Sequence, residues 1–173
     1  MQDVLEKAKN IKLLVLDVDG VLTDGTLFFS NTDDEFKAFN VMDGLGIKLL
    51  QETGVIVAII TGRQSELVAR RAKRLGINHV IQGREDKLIA LDELIAKLDI
   101  NYEQIAYLGD DLPDLSAIKK VQLGMTVANG HFFVVEHADY QTTKKGGNGA
   151  VREACELIMK AQGTLAKTLH SYL

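Results

Sequence analysis

The residues best suited to chemistry are carboxylates placed directly after apolar runs. Asp17-Val18-Asp19-Gly20-Val21-Leu22-Thr23 follows the run 11–16, and Gly109-Asp110-Asp111-Leu112-Pro113-Asp114 follows the run 105–108. In an open parallel sheet, ligands bind at the carboxyl ends of the strands. If both runs are central parallel strands, Asp17, Asp19 and Asp110 converge at one edge. Like charges held close raise one another's pKa, and a bound divalent cation relieves that repulsion. Three oxygen donors with no His or Cys nearby suit a hard cation, of which Mg²⁺ is the usual choice. Plainer readings stand beside this one. Asp-Gly is a common turn pair, and Asp111 or Asp114 before Leu115 reads as a helix cap, aided by Pro113. Capping does not explain both clusters.

Two more groups follow apolar runs in the same way. Thr61-Gly62-Arg63 comes after the run 55–60. A hydroxyl and backbone N–H groups at a helix N-terminus suit phosphate oxygens. Lys87 begins a helical stretch after the run ending near Ile81. A lysine there opposes the helix dipole unless an anion sits beside it. Taken alone it reads as one more surface lysine.

The elements that must position these groups alternate. Runs 11–16, 55–60, 79–81, 105–108 and 121–125 read as buried strands. Stretches 45–53, 65–75, 86–98 and 112–119 carry apolar residues at helical spacing, and a long helix is expected over about 150–169. Strand alternating with helix implies a three-layer α/β/α, Rossmann-like, mostly parallel sheet. One segment departs from the alternation. Residues 26–29 and 35–41 flank the polar turn 30–34, which reads as a small β-hairpin inserted at about 25–41. Its adjacent Phe28 and Phe29 face opposite sides; either one packs inward and the other offers a surface for self-association, or both pack internally.

The chain has 173 residues, close to one domain of about 150, with 46% hydrophobic and 25% charged residues. Such a composition excludes intrinsic disorder. A formal net charge of −4 argues against nucleic acid as the main partner. The single Cys155 excludes an intramolecular disulfide and suits a reducing compartment. No apolar run approaches the ~20 residues of a membrane span, and 1–10 lacks the core of a signal peptide. The expectation is one soluble, cytoplasmic domain over 1–173, with its C-terminal helix and tail at about 150–173. His79, His131, His137 and His170 show no ligand spacing, and Cys155 falls on an apolar helix face.

Asp-x-Asp, Thr, Lys and Gly-Asp-Asp-x-x-Asp, in that order at four strand ends, resemble the four motifs of the haloacid dehalogenase (HAD) superfamily. The resemblance covers nearly the whole chain. It implies that Asp17 is a nucleophile forming an aspartyl-phosphate and that Asp19 is the general acid/base. Thr61 and Lys87 would bind the transferring phosphoryl group. Asp17, the Asp19 backbone carbonyl and Asp110 would hold Mg²⁺, supported by Asp111 or Asp114. Asp19 must be protonated for the first step, which crowded acidic surroundings would favour. A receiver domain shares some of these groups but lacks Asp-x-Asp-Gly and the later Gly-Asp-Asp. A nucleotide kinase would need a Gly-x-x-x-x-Gly-Lys-Ser/Thr loop, which is absent. A non-catalytic HAD-fold binding or assembly module would not need every catalytic position filled.

The chain has no room for a large cap domain. That resembles the capless branch, in which neighbouring subunits cover the active site, commonly as a homotetramer. The stretches Asp17–Gly25, Phe39–Gly46, Ile60–Arg63, Gln82-Gly83 and Gly146–Glu153 together resemble the sugar-acid phosphatases that act on 3-deoxy-D-manno-octulosonate 8-phosphate (Kdo 8-phosphate) in lipopolysaccharide synthesis. Phosphatases of nonulosonate 9-phosphates share much of this pattern. Met42 departs from it, many members having a basic residue there. Such a substrate carries a phosphate and a carboxylate. Arg63, Gly62 and Arg71 are the candidate substrate contacts, Arg being suited to bidentate carboxylate recognition. Arg70, Arg71, Lys73 and Arg74 also read as a solvated basic face. The Gly146–Gly149 loop either approaches the phosphate or simply enters a helix. The tail after Gly163 packs on its own subunit or reaches a neighbour's site.

Overall fold

The computed structural model describes residues 1–28, 30–32 and 35–173. Helix α1 (Gln2–Ala8) leads into β1 (Leu13–Leu16), and α2 (Val41–Glu52) leads into β2 (Ile56–Ile60). Then come α3 (Glu66–Leu75), β3 (His79–Ile81), α4 (Lys87–Leu98) and β4 (Ile105–Gly109). The chain finishes with α5 (Leu115–Lys120), β5 (Leu123–Thr126), α6 (Phe132–Val135), β6 (Tyr140–Gln141), α7 (Ala150–Ala161) and α8 (Leu165–His170).

The strands form one sheet in the order β3-β2-β1-β4-β5-β6, and all five pairings are parallel. Period-two alternation divides each central strand between two cores. Leu14, Leu16, Val57, Ile59, Ala106 and Leu108 face helices α1, α2, α3 and α7. Leu13, Val15, Ala58, Ile60, Ile105 and Tyr107 face α4, α5 and α6. Burial on both faces is why these strands are near-continuous apolar runs. The three-layer α/β/α expectation holds. The strand order reverses between β1 and β4, and such a switch point opens a crevice at the strand ends. Leu16 is in register with Leu108 across that junction, so the residues after each strand are neighbours.

Several local expectations need correcting. Helix α2 begins at Val41, not near Leu45, because the Asn40 side chain caps it by accepting from the Met42 N–H at 2.8 Å. This takes Val41 out of the expected second hairpin strand. Among the described residues the insertion shows one antiparallel bridge, Phe28 to Phe36, instead of a two-stranded ladder. Phe29, Asp33 and Asp34, on which part of the hairpin reading falls, lie outside the described residues. The long C-terminal helix is two helices. Gly163, at φ +72°, turns the chain between them. The sequence reading missed α1, α6 and the two-residue edge strand β6.

The Gly146–Gly149 loop enters α7, and a buried carboxylate from another helix caps it. Asp43, in the first turn of α2, is 1% exposed. Its two oxygens accept from the Gly149 N–H at 3.2 Å and the Arg152 N–H at 2.8 Å. Substituting Asp43→Ala would leave two orphan helix-terminal donors out of water. It should cost about 2 kcal/mol of stability in denaturant unfolding. A loss below about 0.5 kcal/mol would show that water reaches those donors.

Candidate active site

Asp17 follows β1, and Asp110 and Asp114 follow β4, so the sheet register brings the two acidic clusters together. One carboxylate oxygen from each of Asp17, Asp110 and Asp114 lies within 4.8 Å of the other two. Gly20 allows this close approach. It sits at φ +94°, and a Cβ there would lie 2.1 Å from the Asp110 Oδ2. Only glycine meets both demands at low cost.

Lys87, at the start of α4, enters the same space. Its Nζ lies 3.0 Å from the Asp17 Oδ1 and 2.6 Å from the Asp114 Oδ1. Lys87 is 4% exposed, so the surface reading fails. The anion that its position at a helix start demands is this pair of aspartates. Asp114, 1% exposed, is heavily engaged. It also accepts from the Tyr107 hydroxyl at 2.9 Å and from the backbone N–H groups of Asp110 (3.1 Å) and Asp111 (3.3 Å). Asp111 points elsewhere and caps the Leu112 N–H at 2.8 Å. The capping reading is therefore right for Asp111. Asp114 is the one that joins the cluster.

The electrostatics follow from burial and crowding. Burial, then the neighbouring Asp114, pushes the Asp17 carboxyl up to about 7. Burial, then Asp17 and Asp114, pushes Asp110 up to about 8. Burial works to lower the Lys87 pKa, but Asp114 and Asp17 outweigh it and hold the ammonium above its ordinary value. The carboxylate set fits a hard divalent cation: oxygen donors only, crowded and short of positive charge.

The like-charge crowding expected around Asp19 falls on Asp17 and Asp110 instead. Asp19 faces cations. Its Oδ1 is ion-paired with Lys37, and the Arg63 Nε lies 4.0 Å from its Oδ2. The Asp19 side chain is not among the three that converge. Thr61, 2% exposed, follows β2, where its N–H donates to the Ile81 carbonyl and its own carbonyl accepts from the Arg84 N–H. Gly62 and Arg63 follow it at the strand end, and the Arg63 side chain is 55% exposed. Arg71 is placed differently from expectation. Its Nη2 donates to the Asn40 carbonyl at 3.0 Å, and its guanidinium lies over the Phe39 ring. Among the described residues it makes no ion pair with the site aspartates. It lines a cavity of about 340 Å³ with Phe39, Leu67, Arg70, Arg74 and Lys37, the partner of Asp19. The loop at Gly146–Gly149 packs against the turn after β1, with the Gly147 N–H bonded to the Val21 carbonyl at 2.9 Å.

Two participants escaped the sequence reading. Tyr107 sits inside an apolar run, with no polar spacing to flag it. Lys37 sits in an insertion that reads as surface hairpin, yet its side chain is 3% exposed. Its only signal is a lysine within a segment flanking the first motif.

Fold and site together define a hydrolase of the HAD class. Residues 79–154 match the haloacid dehalogenase-like hydrolase family. The chain is 51% identical over 163 residues to the Escherichia coli K12 3-deoxy-D-manno-octulosonate 8-phosphate phosphatase KdsC, covering 94% of this chain and 87% of that protein. A crystal structure of the same-named phosphatase from Moraxella catarrhalis, in complex with magnesium ion, phosphate ion and KDO, superposes with a TM-score of 0.99. It is 51% identical and covers 100% of this chain and 99% of that one. A probable YrbI family phosphatase from Pseudomonas syringae pv. phaseolica gives a TM-score of 0.99 at 57% identity, covering 99% and 98%. The chain belongs to the 3-deoxy-D-manno-octulosonate 8-phosphate phosphatase family of HAD-like hydrolases.

The raised carboxyl pKa values set a pH dependence in the metal-free protein. A carboxyl whose folded pKa lies above its unfolded value binds more protons when folded, so stability falls as pH rises through that window. For Asp17 and Asp110 the window runs from their ordinary value of 3.8 to about 7 and about 8. In chelator, the melting temperature should fall between about pH 5 and about pH 8.5, and Mg²⁺ should raise it most at the upper end. Asp110→Asn should raise the chelated protein's melting temperature near pH 8 and blunt the response to Mg²⁺. A flat profile, or an equal Mg²⁺ effect at both ends, would show that these carboxyls do not repel as described.

Proposed function

We propose that this protein is a Mg²⁺-dependent phosphatase that hydrolyses Kdo 8-phosphate to Kdo and phosphate through an aspartyl-phosphate, a cytoplasmic step of lipopolysaccharide synthesis. The observation that carries this is the meeting of Asp17, Asp110, Asp114 and Lys87 at the switch point of a chain half identical to the named phosphatases.

The Asp17 carboxylate attacks phosphorus, and the sugar oxygen leaves with a proton from Asp19. Asp19 then takes a proton from water as that water attacks the phosphorus of the aspartyl-phosphate, which returns Asp17 and releases phosphate. A carboxylate nucleophile divides one hard displacement into two easier ones. Lys87 has three N–H donors. Two serve Asp17 and Asp114, which leaves one for a phosphoryl oxygen. Thr61 and the Gly62 backbone supply further donors at the β2 end. Asp114, held by Tyr107 and two backbone N–H groups, keeps Lys87 aimed. Asp17, the Asp19 backbone carbonyl and Asp110 would hold Mg²⁺, which would supply neutralisation of the phosphoryl charge. Arg63 is the substrate-facing arginine of this reading, for a carboxylate or hydroxyl of the sugar acid. Arg71, which lines a cavity together with Lys37, is a second candidate for the same groups.

The whole chain acts as one domain, and the assembly is a homotetramer whose neighbours cover each site. Leu27, Phe28 and Phe36 of the insertion, 41%, 55% and 60% exposed, support such a cover. No described helix is long and apolar enough to cross a membrane.

The test is phosphate release from Kdo 8-phosphate. Release should be fast with Mg²⁺ and abolished by excess chelator. Asp17→Asn should lower kcat by about 10³-fold or more. Faster turnover of a nonulosonate 9-phosphate would overturn the substrate and keep the chemistry. Undiminished turnover by Asp17→Asn would overturn the chemistry.

A further inference from the structure

We infer that Lys37 is the positioning residue of Asp19, fixing which of its two oxygens meets the substrate; this rests on the acid–base role proposed above for Asp19. The two oxygens stand in different surroundings. Oδ1 is ion-paired with the Lys37 ammonium, whose side chain is 3% exposed. Oδ2 is buried, and among the described residues it has no hydrogen-bond partner. The Arg63 Nε is 4.0 Å from it.

A lone carboxylate at the tip of Asp rotates through a broad two-fold torsion. Tethering one oxygen to a held cation removes that freedom and presents the other oxygen. An unpartnered buried carboxylate oxygen is costly. It is tolerated where a ligand atom completes it, here the sugar oxygen and then the attacking water.

Lys37 is itself held. Its Nζ lies 3.6 Å from the Glu35 Oε1, and the other Glu35 oxygen accepts from the Ser65 hydroxyl at 2.6 Å. The Ser65 N–H donates to the Gln82 Oε1 at 2.8 Å. Ser65 is the N-cap of α3. The insertion is thereby fastened to the sheet's own helix layer and delivers one cation to Asp19. In this arrangement the insertion is part of the catalytic machinery as well as a surface for neighbouring subunits.

Leaving-group dependence tests the inference. A sugar alkoxide needs a proton to depart; p-nitrophenolate does not. Lys37→Met should lower kcat on Kdo 8-phosphate by about 10- to 100-fold, at the low end of what general acid catalysis contributes. KM and the Mg²⁺ requirement should stay within about two-fold, since no substrate contact is removed. The loss on p-nitrophenyl phosphate should be several-fold smaller, and Lys37→Arg should restore most of the rate. If the methionine variant does not fold, Lys37→Gln makes the same comparison. Equal losses on both substrates, or a raised KM with kcat kept, would overturn the inference. Asp19→Asn, run alongside, separates the two levels. An Asp19→Asn loss equal on both substrates removes the acid–base role itself. A selective loss there, with none for Lys37→Met, removes the Lys37 inference alone.

Discussion

Three carboxylates and one lysine share a largely buried space at the end of β1 and β4, and the surrounding structure answers to that fact. Asp17, Asp114 and Lys87 are each at most 6% exposed. Uncompensated, buried charges cost several kcal/mol each. Lys87 offsets two of the three, and the Tyr107 hydroxyl and two backbone N–H groups satisfy Asp114. Asp110 lacks a comparable cation, and its carboxyl is driven far above its ordinary range. The net deficit of positive charge is the chemical reason for a divalent cation to bind here.

The fold can be read as the scaffold that makes this crowding possible. A parallel sheet buried on both faces gives rigid strand ends, and the order 3-2-1-4-5-6 leaves a crevice where β1 and β4 part. Each group then comes from a different strand or helix end, so rigid elements set the geometry. Asp19 is the exception. Its surroundings come from the irregular insertion through Lys37 and from the β2 end through Arg63.

Most of the scaffold was legible because its signals are local. Five of six strands stood out as apolar runs, and Asp17, Thr61, Lys87 and Asp110 could be placed because each follows one. β6 has two residues, too few to show any period. The start of α2 was misplaced because a cap, the Asn40 side chain, outweighed the β-like pattern of 35–41. Lys87 looked like surface because burial of a lysine depends on partners far along the chain. The same holds for Lys37 and Tyr107, whose partners Asp19 and Asp114 lie on other segments or outside any periodic pattern. Arg71 was named from the resemblance and from its place on the helix after Arg63, and neither signal shows that its guanidinium meets Phe39 and Asn40. Residue type tells what a side chain is able to do; the fold decides what it meets.

The pairing of β1 with β4 also bears on how the molecule assembles. Leu13 pairs with Ile105 across more than half the length of the chain. Contacts that distant in sequence close late, because loop entropy must be met before they contribute. Until that junction closes, Asp17 and Asp110 are separate, and neither repels the other nor shares a cation. The electrostatic strain of the site thus arises only in species in which β1 and β4 have paired. A cation shared by the two clusters would act as a clasp, favouring the folded molecule over any species in which β1 and β4 stand apart.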